Sequence, residues 1–200
     1  MTMTGQQPAA ASTEARRAMI DSQLRTSGVN EPWVLAAMSR VPREDFVPEQ
    51  AKAAAYTDRT VTLGGGRFLA APLVHGKMLT EAAPTLQDNA LLIGDGQGYL
   101  AELLRPLVGT FDCVEPDAAA ECLPKGTYSL IIIDGAIEQP PDWIAARLAD
   151  NGRLVTGLVE RGVTRLAAGR KAGGTVALMP LADLGIPVLP QFAAPKRWSF

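Results

Sequence analysis

Residues 90–107, with the sequence ALLIGDGQGYLAELLRPL, give the clearest indication of the fold. Residues 90–93 are a continuous apolar run, which is typical of a strand buried on both faces in a parallel sheet. A glycine-rich turn over residues 94–98 follows, and residues 99–107 have a helical pattern. A strand, a tight glycine turn and a helix in this order form a nucleotide-binding corner, because glycines let backbone N–H groups approach a ligand without an intervening Cβ.

An acidic residue ends the next predicted strand, about 20 residues after the glycine turn. Residues 111–115 are strand-like, and the carboxylate of Glu115 can accept hydrogen bonds from both ribose hydroxyls of a nucleoside. The residues predicted to bind a nucleoside cofactor are Gly94, Asp95, Gly96, Gln97, Gly98 and Glu115. A purely structural interpretation stays open, in which Asp95 makes an Asx-turn and Glu115 only ends a strand. A dinucleotide oxidoreductase fits less well, since G-x-G-x-G differs from G-x-G-x-x-G.

The rest of the second half alternates between strand and helix patterns. Strands are predicted at residues 128–134 and 152–159, helices at 143–148 and 161–171, and extended segments at 176–180 and, as a late strand pair, within 186–200. Such alternation predicts an α/β fold of the Rossmann-like type, with a doubly wound, mostly parallel sheet and helices on both faces.

The first part of the chain has helical patterns instead. Residues 1–13 are small and polar and are predicted to be a disordered tail. Helices are predicted from Glu14 to about Gly28, after Asn30 with Pro32 in the first turn, and around residues 48–55. We therefore expect a single domain over residues 14–200, with an N-terminal helical part at 14–80 and the sheet at 88–200.

Composition excludes several classes of protein. The chain has 200 residues, 47% of them hydrophobic, and a formal net charge of −2, which gives no indication of nucleic acid or of an anionic membrane as a partner. Two cysteines are too few for a disulfide framework, and a single histidine makes a metal centre improbable. Neither a secretory signal nor a membrane-spanning run is visible, so the predicted location is the cytoplasm.

The N-terminal half carries a family resemblance. Residues 17–48, RAMIDSQLRTSGVNEPWVLAAMSRVPREDFVP, strongly resemble the protein-L-isoaspartate O-methyltransferases. The resemblance continues at residues 55–58, in the glycine turns, and at residues 128–144, YSLIIIDGAIEQPPDWI, and spans about residues 16–159. It implies a class I methyltransferase that uses S-adenosylmethionine and methylates the α-carboxylate of isoaspartyl residues. The implied partner is a damaged protein or peptide.

The sequence departs from the family pattern at positions that matter for chemistry. Leu92 stands where the family has a glutamate that orients the amino-acid end of the cofactor, and Ala70 stands where the family has a serine regarded as catalytic. Only residues 116–127 separate two predicted strands, which implies one strand fewer than the usual methyltransferase sheet and an adenine pocket that lacks one wall. The catalytic residue is therefore unknown. Two functions stay open: an isoaspartyl or other carboxyl methyltransferase, and an inactive homologue that binds a ligand or partner.

Four residues are candidates for substrate binding. Asp58, Leu69 and Ala70 lie in or near the segment that resembles the family's substrate loop, and His75 replaces a small apolar residue after Pro72. A catalytic or substrate-binding role for His75 is one interpretation, but a partly buried histidine hydrogen-bonded to backbone is the favoured one. Asp134 ends the strongest predicted strand at the ligand-facing edge of the sheet, where either a functional or a structural role is open.

The missing strand also has a consequence for assembly. Without it, residues 111–115 lie at an unpaired edge of the sheet. Because such an edge can pair with another chain, the sequence predicts a homodimer.

Overall fold

The structure, a computed structural model, describes residues 7–122 and 125–194 of the chain. Its N-terminal part consists of helices and one small hairpin. These are α1 (Gln7–Met19), which continues as a π-helical turn over Ile20–Leu24, α2 (Pro32–Arg40), two 3-10 helices (Arg43–Phe46 and Glu49–Ala54), the antiparallel strands β1 (Val61–Gly64) and β2 (Arg67–Leu69), and α3 (Pro72–Ala82).

Helix α1 begins at Gln7 and not at Glu14. The predicted disorder is therefore wrong for residues 7–13, where an alanine-rich composition favours the helix. Residues 1–6 of the predicted tail lie outside the described residues.

A six-stranded sheet forms the centre of the molecule. In chain order its elements and their helices are β3 (Asn89–Ile93), α4 (Tyr99–Leu104), β4 (Thr110–Val114), β5 (Tyr128–Ile137), α5 (Asp142–Arg147), β6 (Leu148–Glu160), β7 (Val163–Ala172) and β8 (Thr175–Asp183). The strand order is β4-β3-β5-β6-β7-β8. The first four of these strands run parallel, and β6, β7 and β8 form an antiparallel meander. The predicted Rossmann-like α/β fold is confirmed.

The helix predicted at residues 161–171 is wrong, because this segment forms strand β7. Arg161 and Gly162, with φ of 51° and 80°, make a two-residue turn between β6 and β7. Gly173 and Gly174, with φ of 56° and 81°, do the same between β7 and β8. Two-residue turns with positive φ at both positions close β-hairpins, so both ends of the segment are fixed as strand ends.

Two further expectations concern the ends of the sheet. Between Glu115 and Tyr128 the described residues form one 3-10 turn, Pro116–Ala118, and no strand, while residues 123 and 124 are outside the described part. Strand β4 is consequently an edge strand, as the predicted loss of one strand requires.

The prediction of a late strand pair is wrong for residues 186–194. These residues make a single bridge, Val188 with Ala136, and a 3-10 turn, Pro190–Phe192. Residues 195–200 lie outside the described residues.

Both faces of the sheet are buried at its central strands β3 and β5. Alternate residues of β3 and β5 point to opposite sides, and the two hydrophobic clusters that result separate cleanly. Met19, Leu24, Met38 and Met78 of the N-terminal helices pack with Leu92 and Ile132, whereas Ile144 of α5 packs with Leu91, Ile93, Ile131 and Ile133 on the other face. Helices on both faces leave the carboxyl ends of the parallel strands open for a ligand. No helix in the described ranges is long and apolar enough to cross a membrane.

Candidate functional site

The glycine turn after β3 is held by its own hydrogen bonds. The Gly98 N–H donates to the carbonyl of Asp95 over 2.9 Å, and the Gln97 N–H donates to the Asp95 carboxylate over 2.8 Å. A Cβ at Gly98 would lie 3.0 Å from the Asp95 carbonyl oxygen, and a Cβ at Gly94 would lie 3.0 Å from the Cβ of Asp134. Asp95 thus makes the Asx-turn that the sequence left open, and the turn brings backbone close to the end of β5.

A cleft lies along the carboxyl ends of β3, β4 and β5. It has two adjoining lobes, of about 250 Å³ and about 310 Å³. We call the first the Glu115 lobe, because it is lined by Gly94, Glu115 and Pro116, and the second the Tyr99 lobe, because it is lined by Gly98 and Tyr99. Both lobes are lined by Leu63, Arg67, Phe68, Asp95 and Asp134.

Acidic side chains dominate the cleft. Asp95, Glu115, Asp117 and Asp134 line the Glu115 lobe, and Asp45, Asp95 and Asp134 line the Tyr99 lobe. Among the described residues that line either lobe, Arg67 is the one cation, and its Nη1 lies 3.4 Å from Oδ2 of Asp95. Burial and the negative charge of Asp95 raise the pKa of Glu115. The cleft therefore has a negative potential that favours a ligand with cationic groups.

A chain of three side chains lies behind the cleft. Arg43 donates from Nε to the carbonyl of Ala55 over 2.7 Å and from Nη2 to the carbonyl of Ala70, and its Nη1 lies 3.3 Å from Nδ1 of His75. A guanidinium has only donors, so Nδ1 accepts and the neutral ring carries its proton on Nε2. Nε2 then donates to Oδ1 of Asp134 over 3.0 Å.

Burial differs along this chain. Arg43 and His75 are 0% exposed, whereas the side chain of Asp134 is 19% exposed and reaches the cleft. Burial lowers the pKa of Arg43 to about 10, so the guanidinium is still a cation at neutral pH. It also lies over the ring of Tyr99, 5.0 Å from the centroid. Among the described residues Oδ2 of Asp134 has no hydrogen-bond partner, so one carboxylate oxygen is fixed and the other is free for a ligand.

Most of the predicted cofactor residues come together in the cleft. Gly94, Asp95, Gln97, Gly98 and Glu115 line it. Gly96 does not line either lobe, and its carbonyl accepts a hydrogen bond from Arg105 over 3.0 Å.

The four substrate candidates have different positions. Leu69 and Ala70 are buried and line the cleft from the end of the β1–β2 hairpin. His75 is buried and reaches the cleft only through Asp134. Asp58 is exposed in the turn before β1 and lines neither lobe.

Two arginines of the site were missed by sequence reasoning, although each had a signal. Arg43 is a charged residue in VPREDF, residues 41–46, the most family-specific run of the chain. Arg67 directly follows the glycine turn at residues 64–66 and lies three positions before Ala70.

Known proteins of one family resemble this chain over most of its length. The family model "Protein-L-isoaspartate(D-aspartate) O-methyltransferase (PCMT)" matches residues 14–115. A protein-L-isoaspartate O-methyltransferase of Methanoculleus marisnigri is 30% identical over 203 residues, which cover 88% of this chain and 92% of the relative. The chain belongs to the protein-L-isoaspartate O-methyltransferase family. Within that family, the enzyme of Roseiflexus castenholzii is 31% identical over 199 residues, covering 86% of this chain and 90% of the relative.

A solved structure shares the fold. It is a Plasmodium falciparum protein assigned to this family, in complex with S-adenosyl-L-homocysteine, and it matches with a TM-score of 0.70 at 17% identity. The match covers 88% of this chain and 98% of that structure. The fold of that structure is thus present over most of this chain.

Proposed function

We propose that this protein binds S-adenosylmethionine in the cleft and transfers its methyl group to the α-carboxylate of an isoaspartyl residue in a damaged protein. The observation that carries the proposal is the acidic cleft built around the glycine turn, in a chain that belongs to this family. S-adenosylmethionine supplies an electrophilic methyl group on a sulfonium centre. The negative potential of the cleft suits that positive charge.

The cofactor side is assigned to the glycine turn and the end of β4. The proposed cofactor-binding residues are Gly94, Asp95, Gly96, Gln97, Gly98 and Glu115. The side chain of Glu115 lies in the cleft at the end of β4, where its carboxylate can accept hydrogen bonds from ribose hydroxyls. The glycines at positions 94, 96 and 98 keep the turn tight and let its backbone approach a ligand closely, while the N–H groups of Gly94 and Gly98 are already bonded to carbonyls of the protein.

The acceptor side is assigned to the β1–β2 hairpin and the segment after it. Leu69 and Ala70 line the cleft there, and Arg67 can neutralise the acceptor carboxylate by exchanging its exposed contact with Asp95 for that carboxylate. A carboxylate is already a nucleophile, so the protein has to position it and does not have to deprotonate it. This requirement is compatible with Ala70, which has no hydroxyl group.

A second candidate function is binding without methyl transfer. It is favoured by Ala70, by the apolar and fully buried Leu92, and by the single 3-10 turn after Glu115, which leaves less material for an adenine pocket. Such a homologue would bind the nucleoside, a peptide or a partner protein.

One pair of measurements separates the two candidates. Calorimetric titration with S-adenosylmethionine and S-adenosylhomocysteine is expected to give micromolar dissociation constants, which correspond to binding free energies of about −8 kcal/mol. Methyl ester formation is expected on an isoaspartyl peptide and not on the matching aspartyl peptide. Binding without ester formation would favour the second candidate, and no binding at millimolar ligand would contradict both the cofactor assignment and the enzyme.

Glu115→Ala is the variant that tests the cofactor side. Loss of a charge-assisted acceptor for two ribose hydroxyls is expected to weaken binding of both nucleosides by about 10- to 100-fold. Glu81→Ala, on the exposed side of α3, is the matched control and should bind like the wild type. Equal affinities for Glu115→Ala and the control would show that β4 does not contribute to the nucleoside site.

We also propose a location and an assembly for the protein. It acts in the cytoplasm as one domain, which residues 14–200 form together with the first residues of α1, and it forms a homodimer. Among the described strands β4 pairs with β3 alone, and this open edge supports the homodimer.

A further inference from the structure

Asp134 has a special place in the cleft. It follows Ile133, whose register partner in β3 is Ile93, so Asp134 lies beside Gly94 at the same level of the sheet. A Cβ at Gly94 would be 3.0 Å from the Asp134 Cβ and 3.7 Å from Leu92 Cδ1, which places Asp134 and Leu92 on one face. Leu92 is fully buried and carries no charge. Asp134 therefore supplies a carboxylate on this face, beside the glycine turn.

We propose that Asp134 binds the ammonium group of the methionyl part of S-adenosylmethionine, and that His75 and Arg43 are positioning residues that hold its carboxylate for this contact. The inference rests on the proposed function, because it needs the same cofactor in the same cleft. It adds one cofactor-binding residue and two positioning residues to those that the glycine turn and Glu115 supply.

The chemistry of Asp134 fits an ammonium group. An ammonium has three donors and no acceptor, and Oδ2 of Asp134 is an acceptor without a partner among the described residues. A sulfonium has no N–H, so it can be attracted by the carboxylate but cannot form a hydrogen bond with it. Arg67, the one cation that lines the described cleft, is paired with Asp95 and leaves Asp134 without a counterion at the surface of the cleft.

The positioning role follows from the direction of the hydrogen bonds. Arg43 is anchored by the carbonyls of Ala55 and Ala70, so its Nη1 is fixed in place against Nδ1 of His75. Because Nδ1 accepts, Nε2 must donate, and this bond fixes Oδ1 of Asp134. One oxygen is thereby used by the protein and the other is presented to the cleft. A residue held in this way loses little side-chain freedom when the cofactor binds.

The experiment compares ligands with and without the ammonium group. The full-length protein is titrated calorimetrically with S-adenosylhomocysteine and with 5′-methylthioadenosine, which has the nucleoside and sulfur but lacks the amino-acid end. Asp134→Asn is expected to weaken the binding of S-adenosylhomocysteine by about 10- to 100-fold, and the binding of 5′-methylthioadenosine by no more than about twofold. Asp150→Asn, whose side chain is 91% exposed, is the matched control and should leave both affinities unchanged.

The positioning residues have their own readouts. His75→Phe keeps a ring but removes the donor to Asp134, so it should weaken the binding of S-adenosylhomocysteine and not that of 5′-methylthioadenosine. If the role of His75 were merely structural, the affinities for both ligands would fall alike. Since His75 is the single histidine of the chain, ¹⁵N-labelled histidine reports one ring, and its spectrum should show the proton on Nε2. This spectrum is taken on the wild type, so it does not depend on the variant folding.

The possible outcomes are distinct. If Asp134→Asn lost affinity equally for the two ligands, or lost none, the inference would be overturned and the proposed function would stay intact. A proton on Nδ1 would overturn the positioning role. A wild type that binds neither ligand would overturn the proposed function together with the inference. A selective loss in a protein that does not methylate isoaspartyl peptides would support the inference and contradict the proposed acceptor.

Discussion

Arg43 is a fully buried guanidinium whose three nitrogens each face a fixed acceptor. It bonds to the carbonyls of Ala55 and Ala70 and to His75, and it lies over Tyr99. A buried charge is tolerated only when its hydrogen bonds are made, because its desolvation is not otherwise offset. Burial is also what lowers its pKa to about 10. Arg43 therefore joins the N-terminal helices to the segment that carries Ala70 and His75.

Arg43→Lys tests how much this network stabilises the fold. A lysine keeps the charge but cannot bond to three acceptors in the plane of a guanidinium, so carbonyls of buried residues lose their donors. We expect the free energy of unfolding, measured in urea, to fall by about 3 kcal/mol. Arg40→Lys, at the exposed end of α2, is the control and should stay within about 0.5 kcal/mol of the wild type. A single hydrogen bond contributes about 1 kcal/mol to stability. If Arg43→Lys lowered the free energy of unfolding by less than that, water would have to replace the missing donors.

Single residues of the site were predictable where the signal is local. The glycine turn and Glu115 follow from a strand–turn–helix pattern that the sequence displays directly. The chain from Arg43 through His75 to Asp134 was not predictable, because its members are 32 and 59 residues apart and only the fold brings them together. Asp58 was expected near the substrate and lies in an exposed turn outside the cleft, since the β1–β2 hairpin that follows it turns Leu69 and Ala70 inward instead.

The connection from α3 to β3 is fixed to the sheet by one carboxylate. Oδ2 of Asp88 accepts from the Thr85 N–H over 2.8 Å and from Arg153 over 2.7 Å, and Oδ1 accepts from the Ser129 hydroxyl over 2.6 Å. Burial by itself raises the pKa of Asp88, but the hydrogen bonds from Ser129 and Arg153 outweigh it and the pKa is lowered. Strands β5 and β6 are thus joined to the start of β3.

Asp88→Asn should destabilise the protein in a way that depends on pH. The folded carboxyl binds its proton less readily than the unfolded one, so its stabilisation is complete above the unfolded pKa and disappears as the pH falls through the folded pKa. We expect the variant to lose about 2–3 kcal/mol at pH 7, and the difference from the wild type to shrink below about pH 4. Urea unfolding at pH 7 and pH 3 measures the difference in the free energy of unfolding, with Asp150→Asn as the control. A difference that stayed constant with pH would assign the loss to packing and not to the charge.

At the level of strands and helices, periodicity was reliable for long apolar runs and failed for β7. The strands at β3 and β5 are buried on both faces, and their continuous apolar sequences allow few other structures. The segment of β7 mixes small, basic and apolar residues that fit a helical period as well. What decides its structure is the pair of turns at its ends, Arg161–Gly162 and Gly173–Gly174, together with pairing to β6 and β8.

The molecule as a whole divides its site between two regions. The sheet supplies the glycine turn, Glu115 and Asp134, and the N-terminal region supplies Arg67, Leu69 and Ala70. The family model ends at residue 115, and the segment after it is where this sheet has an edge instead of a further strand in the described residues. The same short connection therefore borders both the proposed adenine side of the cleft and the edge that is open to a second molecule.

The two edges of the sheet are not equivalent. Strand β8 contains Pro180, which removes a backbone donor and is a common way of blocking an edge strand. Strand β4 has no proline. The Thr110 N–H donates to the Asp88 carbonyl, and the Val114 carbonyl accepts from the Gly94 N–H, so the backbone groups of Thr110 and Val114 face β3. Backbone groups of successive residues in a strand point to opposite sides. The N–H and C=O of Phe111 therefore point away from the sheet. The free edge of β4 is therefore the one that can pair with a second copy.

Phe111→Pro and Phe111→Ala together test the homodimer. Both remove the side chain that packs against Arg105, but only the proline removes the outward N–H, and proline is tolerated where that N–H faces away from the sheet. Sedimentation equilibrium is expected to show a dimer for the wild type and for Phe111→Ala, and a monomer for Phe111→Pro, with thermal unfolding confirming that each variant is folded. The two variants should lose similar stability, since they lose the same packing. A wild type that stays monomeric at high concentration would contradict the homodimer, and a dimeric Phe111→Pro would place the interface elsewhere, because pairing through β4 needs the N–H that this variant lacks.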